Sequence, residues 1–512
     1  MLKSEPVIVY QPCEGTSQQW GIDSRADDTL ICGTRGGGKT AVQLMRFRRY
    51  VGIGYGAFWR GIIFDKRFKD LADIVTQSKK FYLAFMDGAQ FYNSPTEYKW
   101  LWPTGEVLLF RHAEDVDDYD TYHGHEYPFI GYNELTKWAT PDFFDKMQST
   151  NRSSFVPEIH TPKDRNGNYL THNKKPLPDI PLQRFSTTNP NGPGHNWVKK
   201  RYINVAPYGC PVRTQTEIYN PRTQTEELVT NTQVTIFSSF RENKFLAPKY
   251  IAQLNDACKN NPNLAKAWLK GSWDITAGGA IDDLWNSAVH VIDNFRVPSH
   301  WYIDRSFDWG STHPFSVGWW AEANGEEVIL DDGSRWCPPS GTLIQFSEWY
   351  GSEEVGFNKG IRLGSKDIAK GIKEIETSML QSGITAYKPY AGPADNEIHN
   401  IRDSSGDSIS GVMADAGVIW THSDKSPGSR VNGLQLFRDR LKSSIEHDGG
   451  PEIYFMRRCK ASIETLPILQ LDDKKIDDVD TKTEDHCWDM TRYRILKGAN
   501  RIATKINVKW SA

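Results

Sequence analysis

Short apolar runs alternate with segments of helical period through the first half of the chain. TLIC (29–32) predicts a buried strand, and Ala41 to about Tyr50 a helix with Val42 and Met45 opposite the basic stretch 46–49. Further strands are predicted at GIIFDK (61–66), VLLFRH (107–112), YPFIGYNE (127–134), LQRFSTTNP (182–190) and VTIFSSF (234–240), with a helix through 67–86. This alternation describes a mostly parallel sheet covered on both faces. Residues 151–180 are rich in Asn, Pro, Lys and Asp and break the rhythm, so a long surface loop or lid is expected there. Helical character returns at 247–270 and closes on LKGSWD (269–274).

The second half reads differently. WYIDRSFDWG (301–310), PFSVGWWAEA (314–323), EEVILD (326–331) and TLIQFSEWY (342–350) are separated by turn signals such as Asn324-Gly325 and Asp332-Gly333. An antiparallel meander is predicted, followed by a helix at 366–380, a strand at ITAYKPY (384–390), and helices at 431–447 and 484–497. The expected fold class is therefore α/β in two domains. A mainly parallel domain spans 1–270, a connector 271–300, and a mixed α/β domain 301–512. Ile281, Leu284 and Trp285 make the connector too apolar to hang free.

Composition narrows the class. Of 512 residues 38 % are hydrophobic and 24 % charged, which excludes wholesale disorder. No apolar run is long enough for a membrane span, and the opening residues lack a secretory pattern. The net charge of −3 neither announces nucleic acid nor excludes a local basic track. Seven cysteines are too scattered for a disulfide framework or a zinc site, which fits a reducing compartment.

Candidate chemistry lies first in Gly33-Thr34-Arg35-Gly36-Gly37-Gly38-Lys39-Thr40, which satisfies G-x4-G-K-[ST] between a predicted strand and a predicted helix. Backbone N–H groups of such a loop curl round phosphates, Lys39 reaches the β/γ oxygens, and Thr40 offers a hydroxyl to Mg²⁺. ATP is the expected ligand. At the end of a neighbouring strand, Glu134 stands where a water-activating carboxylate belongs. Asn133 takes the metal-side position, where an amide would accept a bond from a metal-bound water without adding charge. Either Glu134 is the catalytic base or the domain binds ATP without turnover. Thr187, Thr188 and Asn189 end the next strand and are candidates to sense the γ-phosphate. Arg35 is a candidate to neutralise transition-state charge, and Gln18 and Gln19 to read adenine.

A second site is suggested by Asp308, Asp395 and Asp489 at the ends of separate elements. Asp485 and His486 share the face of the last helix with Asp489 at helical spacing. Converging carboxylates are costly unless cations neutralise them, and two Mg²⁺ or Mn²⁺ ions would suit phosphodiester hydrolysis. Equally, an Asp at a strand end often only caps a turn. From Thr491 onward Arg492, Arg494, Lys497, Arg501, Lys505 and Lys509 occur without an acidic residue, so a basic C-terminal tail outside the active centre is expected.

Taken in order, YQPCEGTSQQW, ICGTRGGGKT, YPFIGYNELTKW, STTNPNGPGHNWVKKRY, LKGSWD, SFDWGSTHPF, GPAD and DHCWDMTRYR resemble the large terminase subunit of tailed bacteriophages over nearly the whole length. That resemblance implies a P-loop ATPase domain followed by an RNase H-like nuclease domain. It implies ATP with Mg²⁺ at Gly33–Thr40, Arg35 as the loop arginine, Asn133-Glu134 as the acidic-pair site and Thr187-Thr188-Asn189 as the coupling motif. Asp308, Asp395 and Asp489 become the nuclease carboxylates, with Asp485 or His486 beside them. The implied partners are double-stranded DNA, a small terminase subunit, a portal ring and four further copies in a pentamer. The implied setting is the infected host's cytoplasm, with departure before the mature virion forms. Two other readings stay open: a helicase-like or repair ATPase with an accessory nuclease, and an ATP-binding packaging scaffold without turnover.

Overall fold

The computed structural model describes residues 8–94, 97–259, 262–275, 279–400, 407–472, 475, 477–481 and 483–505, with side chains excluded at 262–263 and 498–505. The chain divides into two compact units, Met1–Ile275 and Thr276–Ala512.

The first unit is built on a nine-stranded sheet. Its strands are β1 (Asp28–Gly33), β2 (Arg60–Asp65), β3 (Gln90–Ser94), β4 (Glu97–Leu101), β5 (Val107–His112), β6 (Phe129–Tyr132), β7 (Gln183–Thr187), β8 (Val212–Asn220) and β9 (Thr225–Ser238), in the order β3-β4-β5-β2-β6-β7-β1-β9-β8. From β5 to β9 every pairing is parallel. The edges, β3-β4-β5 on one side and β9-β8 on the other, are antiparallel. β1, β2 and β6 are buried almost throughout, which is why they read as continuous apolar runs. Helices Lys39–Arg48 and Leu71–Tyr82 cover the sheet with Val42, Leu44, Phe47, Leu71 and Ile74. Residues 151–180 contain one short helix, Pro157–His160, and otherwise run as irregular chain.

The second unit carries a seven-stranded mixed sheet. Its strands are β10 (Val291–Ile292), β11 (Tyr302–Asp308), β12 (Ser316–Glu322), β15 (Leu343–Tyr350), β16 (Pro393–Ala394), β17 (Thr421–His422) and β18 (Ile453–Met456), in the order β10-β18-β15-β12-β11-β16-β17. β11, β12 and β15 form the antiparallel meander, and the outer pairs are parallel. Helices Ser365–Gln381, Ser429–Glu446 and His486–Lys505 belong to this unit.

Four expectations change. EEVILD does not join the meander: β13 (Val328–Ile329) pairs only with β14 (Arg335–Trp336) in a separate ribbon. ITAYKPY is not a strand. Pro389 cannot donate to a ladder, Tyr390 makes a single bridge to Asp304, and the strand is the two-residue β16 beyond it. The stretch 271–300 is not a separate connector, because Ala280, Ile281 and Trp285 are buried in the second unit's core with Phe437 and Trp488. Nor does a tail begin at Thr491. Arg492 and Arg494 are buried on the last helix, Arg494 on Asp304 at 2.6 Å, and Lys497 reaches Asp304 at 3.0 Å. Arg501 and Lys505 lie beyond the described side chains, and Lys509 outside the described residues.

Candidate functional site

At the C-terminal ends of β1, β6 and β7 the first unit gathers its chemistry, where an open parallel sheet presents ligand sites. Arg35–Thr40, Glu134, Lys137, Asn189, Tyr250 and Trp268 help line a cavity of about 680 Å³. The loop is held by β9. Gly33 has φ +129°, and a Cβ there would come within 2.3 Å of the Ser238 carbonyl oxygen. The Thr34 hydroxyl accepts the Phe240 N–H at 2.6 Å. Gly33 and Thr34 therefore shape the loop instead of facing the cavity. Gly38 adopts φ +87° and hands the chain to the helix that begins at Lys39, so the helix's positive end points where phosphates would sit.

Lys39 is buried and donates through Nζ to the Thr34 carbonyl at 2.6 Å and to Asn189 Oδ1 at 2.9 Å. Burial pulls its ammonium below the usual lysine range, and the nearby Glu134 carboxylate works against that fall. Asn189 Nδ2 lies 3.0 Å from Glu134 Oε1, and its backbone N–H donates to Oε2 at 3.2 Å. Glu134 itself has φ 59°, a left-handed conformation that is strained for a residue with a Cβ. Its N–H donates to Thr187 Oγ1 at 3.3 Å, and Thr188 Oγ1 shares a hydrogen with Thr136 Oγ1 at 2.8 Å. Asn189 thus meets the cavity, while Thr187 and Thr188 brace the β6 terminus.

Three expected positions fall elsewhere. Asn133 is buried, donates through Nδ2 to Asp65 Oδ2 at 2.7 Å, and accepts from Thr187 at 3.4 Å. Its amide is engaged with Asp65 and Thr187 and does not line the cavity. Gln18 accepts the Cys13 N–H through Oε1 and donates to the Gly37 carbonyl, so it supports the loop and does not line the cavity. Gln19 accepts the Gly15 N–H at 2.8 Å, also outside the lining. Arg35 is exposed at the rim with its guanidinium 3.5 Å over the Trp268 ring.

Sequence reading missed Asp65. It ends β2 fully buried, bound by Lys137 Nζ at 2.5 Å and by Asn133. Burial raises its carboxyl, with Lys137 opposing the rise. A lone Asp after an apolar strand gave no signal, because its partner stands 72 positions away.

In the second unit, β11 and β16 run parallel with Phe307 beside Ala394, and the Asp395 N–H donates to the Phe307 carbonyl at 3.0 Å. Asp308 and Asp395 therefore stand at adjacent strand ends. The helix His486–Lys505 contributes Asp489. Asp308 is pushed well above the carboxylate range, first by burial and then by the charges of Asp489 and Asp395. Asp485, just before the helix, is raised by burial and by Asp489. His486 directs Nδ1 to Asp308 Oδ2 at 3.1 Å and Nε2 to Asn358 Oδ1 at 2.9 Å. Both its nitrogens are engaged, so His486 orients Asp308. Among the described residues no three His, Cys, Asp or Glu side chains are placed to hold a metal ion. Instead Lys425 Nζ bonds Asp395 at 2.6 Å, and Arg430 reaches Asp478 at 2.9 Å, Asp489 at 3.1 Å and Asp485 at 3.7 Å.

The sequence decides the kinship. A family model described as terminase large subunit, T4likevirus-type, N-terminal, matches residues 30–287. The chain belongs to the terminase large-subunit family. No curated protein matches it significantly. Similar solved structures include the large terminase of a thermophilic bacteriophage in complex with ADP, at 14 % identity and TM-score 0.35, covering 94 % of this chain and 98 % of that one. The large terminase of bacteriophage HK97 is similar at 10 % identity and TM-score 0.40, covering 94 % and 93 %. The nuclease domain of the P22 large terminase covers 43 % of this chain and 92 % of its own, at 15 % identity and TM-score 0.29. No described helix of this terminase is long and apolar enough to cross a membrane.

Proposed function

We propose that this terminase chain is a DNA-packaging motor and nuclease, hydrolysing ATP in the first unit and cutting double-stranded DNA in the second. The observation that carries the reading is the chain Lys39–Asn189–Glu134 at a P-loop cavity, in a protein whose other unit gathers Asp308, Asp395 and Asp489. The cavity's volume and its loop N–H groups suit a nucleoside triphosphate. Lys39 exchanges its loop carbonyl for β/γ-phosphate oxygens. Glu134 orients and deprotonates the attacking water, and Asn189 fixes which way the carboxylate points. Thr40, in the first turn of the helix and on the cavity wall, would offer its hydroxyl to the Mg²⁺ of the nucleotide. Arg35 supplies positive charge at the rim.

Asp308, Asp395 and Asp489, with Asp485 adjoining, are oxygen donors of the kind Mg²⁺ or Mn²⁺ takes, though as they stand no three of them are placed round one ion. A divalent cation held there would supply an activated water and stabilise the leaving oxygen. The chain's own contribution is to hold Asp308 through His486 and Tyr493, whose hydroxyl donates to Asp308 Oδ1 at 3.4 Å. The second unit's antiparallel meander flanked by parallel strands suits an RNase H-like nuclease. The partners that follow are concatemeric DNA, a small terminase subunit, a procapsid portal and further copies of the chain in a pentamer, in the host cytoplasm. Procapsids, small subunit, ATP and linear DNA should yield DNA protected from added DNase, and the Lys39→Ala protein should yield none. Equal protection by Lys39→Ala would refute the motor.

A further inference from the structure

The cations beside the carboxylates fall into two kinds. Arg492 bonds Asp489 with a side chain 2 % exposed, locked beneath the helix Ser429–Glu446, where its stem meets Gly433. Lys425 and Arg430 keep 35 % and 25 % of their side chains in solvent. Both come from one short stretch between β17 and the first turn of that helix, with Gly428 at φ +84° between them. They border a cavity of about 390 Å³ whose walls also include Lys475, Asp489 and Arg492. A solvated ammonium and a solvated guanidinium thus sit on oxygens that a divalent cation would need.

We propose that Lys425 and Arg430 are exchangeable counter-cations of the nuclease site, neutralising Asp395 and Asp489 until a divalent cation takes those oxygens, and then turning to a backbone phosphate of the DNA. The proposal rests on the nuclease reading. Its first ground is charge. Lys425 holds Asp395 at 2.6 Å, and Arg430 alone faces three carboxylates, Asp478 at 2.9 Å, Asp489 at 3.1 Å and Asp485 at 3.7 Å, so two solvated cations cover four acidic side chains. Geometry is the second. Arg430 spreads its fork over Asp478 and Asp489 and also donates to the Val479 carbonyl, so it closes the acidic loop against the last helix. The third is the fate of the displaced charges. Arg492 keeps Asp489 Oδ1, so a metal ion would need Oδ2, which Arg430 also touches at 3.3 Å, and like charges at contact distance repel. The adjoining cavity offers both side chains a solvent-facing position among further cations, and its chemistry suits an anionic phosphodiester.

The test uses the full-length protein, stripped of metal, with neither DNA nor nucleotide. Mn²⁺ binding is followed by loss of the free-ion electron paramagnetic resonance signal, with Asp308→Asn defining the nuclease site. Arg430→Gln should bind Mn²⁺ about tenfold more tightly than wild type. Lys425→Gln should shift in the same direction and carries the test should Arg430→Gln fail to fold by circular dichroism. At saturating Mn²⁺, both variants should show a raised KM for linear DNA. Unchanged or weakened Mn²⁺ binding in folded variants of a protein that cuts DNA would overturn the exchange alone. A wild type that neither binds Mn²⁺ at an Asp308-dependent site nor cuts DNA would overturn the nuclease reading beneath it.

Discussion

Asn189 grips the Glu134 carboxylate twice, through its side-chain amide at 3.0 Å and its backbone N–H at 3.2 Å. The same amide accepts from Lys39 at 2.9 Å, so one residue at the end of β7 joins the P-loop lysine to the acid at the end of β6. Asn189→Asp replaces a donor with a carboxylate against Glu134 while leaving an acceptor for Lys39. ATP turnover should fall by a factor on the order of 10² with nucleotide still bound, since the loss concerns base orientation. Steady-state kcat and equilibrium nucleotide affinity check this, and unaltered kcat would remove Asn189 from the role.

Asn133 invites a substitution whose outcome the structure reverses. Read from sequence, Asn133→Asp should restore a metal-side charge and lower the Mg²⁺ requirement of the ATPase. In the fold it sets a carboxylate 2.7 Å from the buried Asp65 and deletes the donor between them. The variant should lose about 1–3 kcal/mol of stability, with no gain in Mg²⁺ affinity. Denaturant unfolding and a Mg²⁺ titration of ATPase activity decide between the two accounts.

His195 predicts a pH dependence of the first unit. Burial lowers its pKa from 6.5 to about 4, with one ring nitrogen on the Trp273 carbonyl at 3.0 Å. The unfolded chain therefore takes up the proton near 6.5 and the folded chain only near 4. Acidification through that window favours the unfolded state, and stability falls as the pH drops. Comparing melting temperatures of wild type and His195→Gln between pH 7 and 4 should show a smaller acid-dependent fall in the variant. Parallel curves would contradict the assignment.

Arg494 lies wholly buried on Asp304 and also reaches Glu322 at 3.1 Å. Arg494→Ala leaves Asp304 with Lys497 as its remaining ion-pair partner among the described residues and should cost about 3–5 kcal/mol. An effect within about 0.5 kcal/mol, typical of exposed sites, would return Arg494 to a surface tail.

Legibility followed burial. β1, β2, β6 and β7 were readable because their side chains are buried, whereas β8 is exposed along nearly its whole length and carries no apolar run. In the β3–β4 hairpin, β3 exposes three of its five positions and β4 fully buries only Trp100, so neither carries an apolar run. Arg492 and Arg494 misled because charge in a sequence suggests solvent. Their acidic partners lie on β11, β12 and the same helix, and only the fold pairs them. Lys425, Arg430 and Asp65 act through partners far along the chain, which spacing cannot reveal. Glu134, Asp308 and Asp395 were visible because each stands where a strand ends.

Whether the two chemistries reside in separate units is decided by measuring ATP hydrolysis and DNA cutting on the same folded preparations of Glu134→Gln and Asp308→Asn. Glu134→Gln should lose ATP turnover by a factor on the order of 10² to 10⁴ and still cut DNA in Mn²⁺. Asp308→Asn should keep its ATPase and lose cutting. Either substitution abolishing both activities in a folded protein, or neither activity responding to its own substitution, would contradict the account.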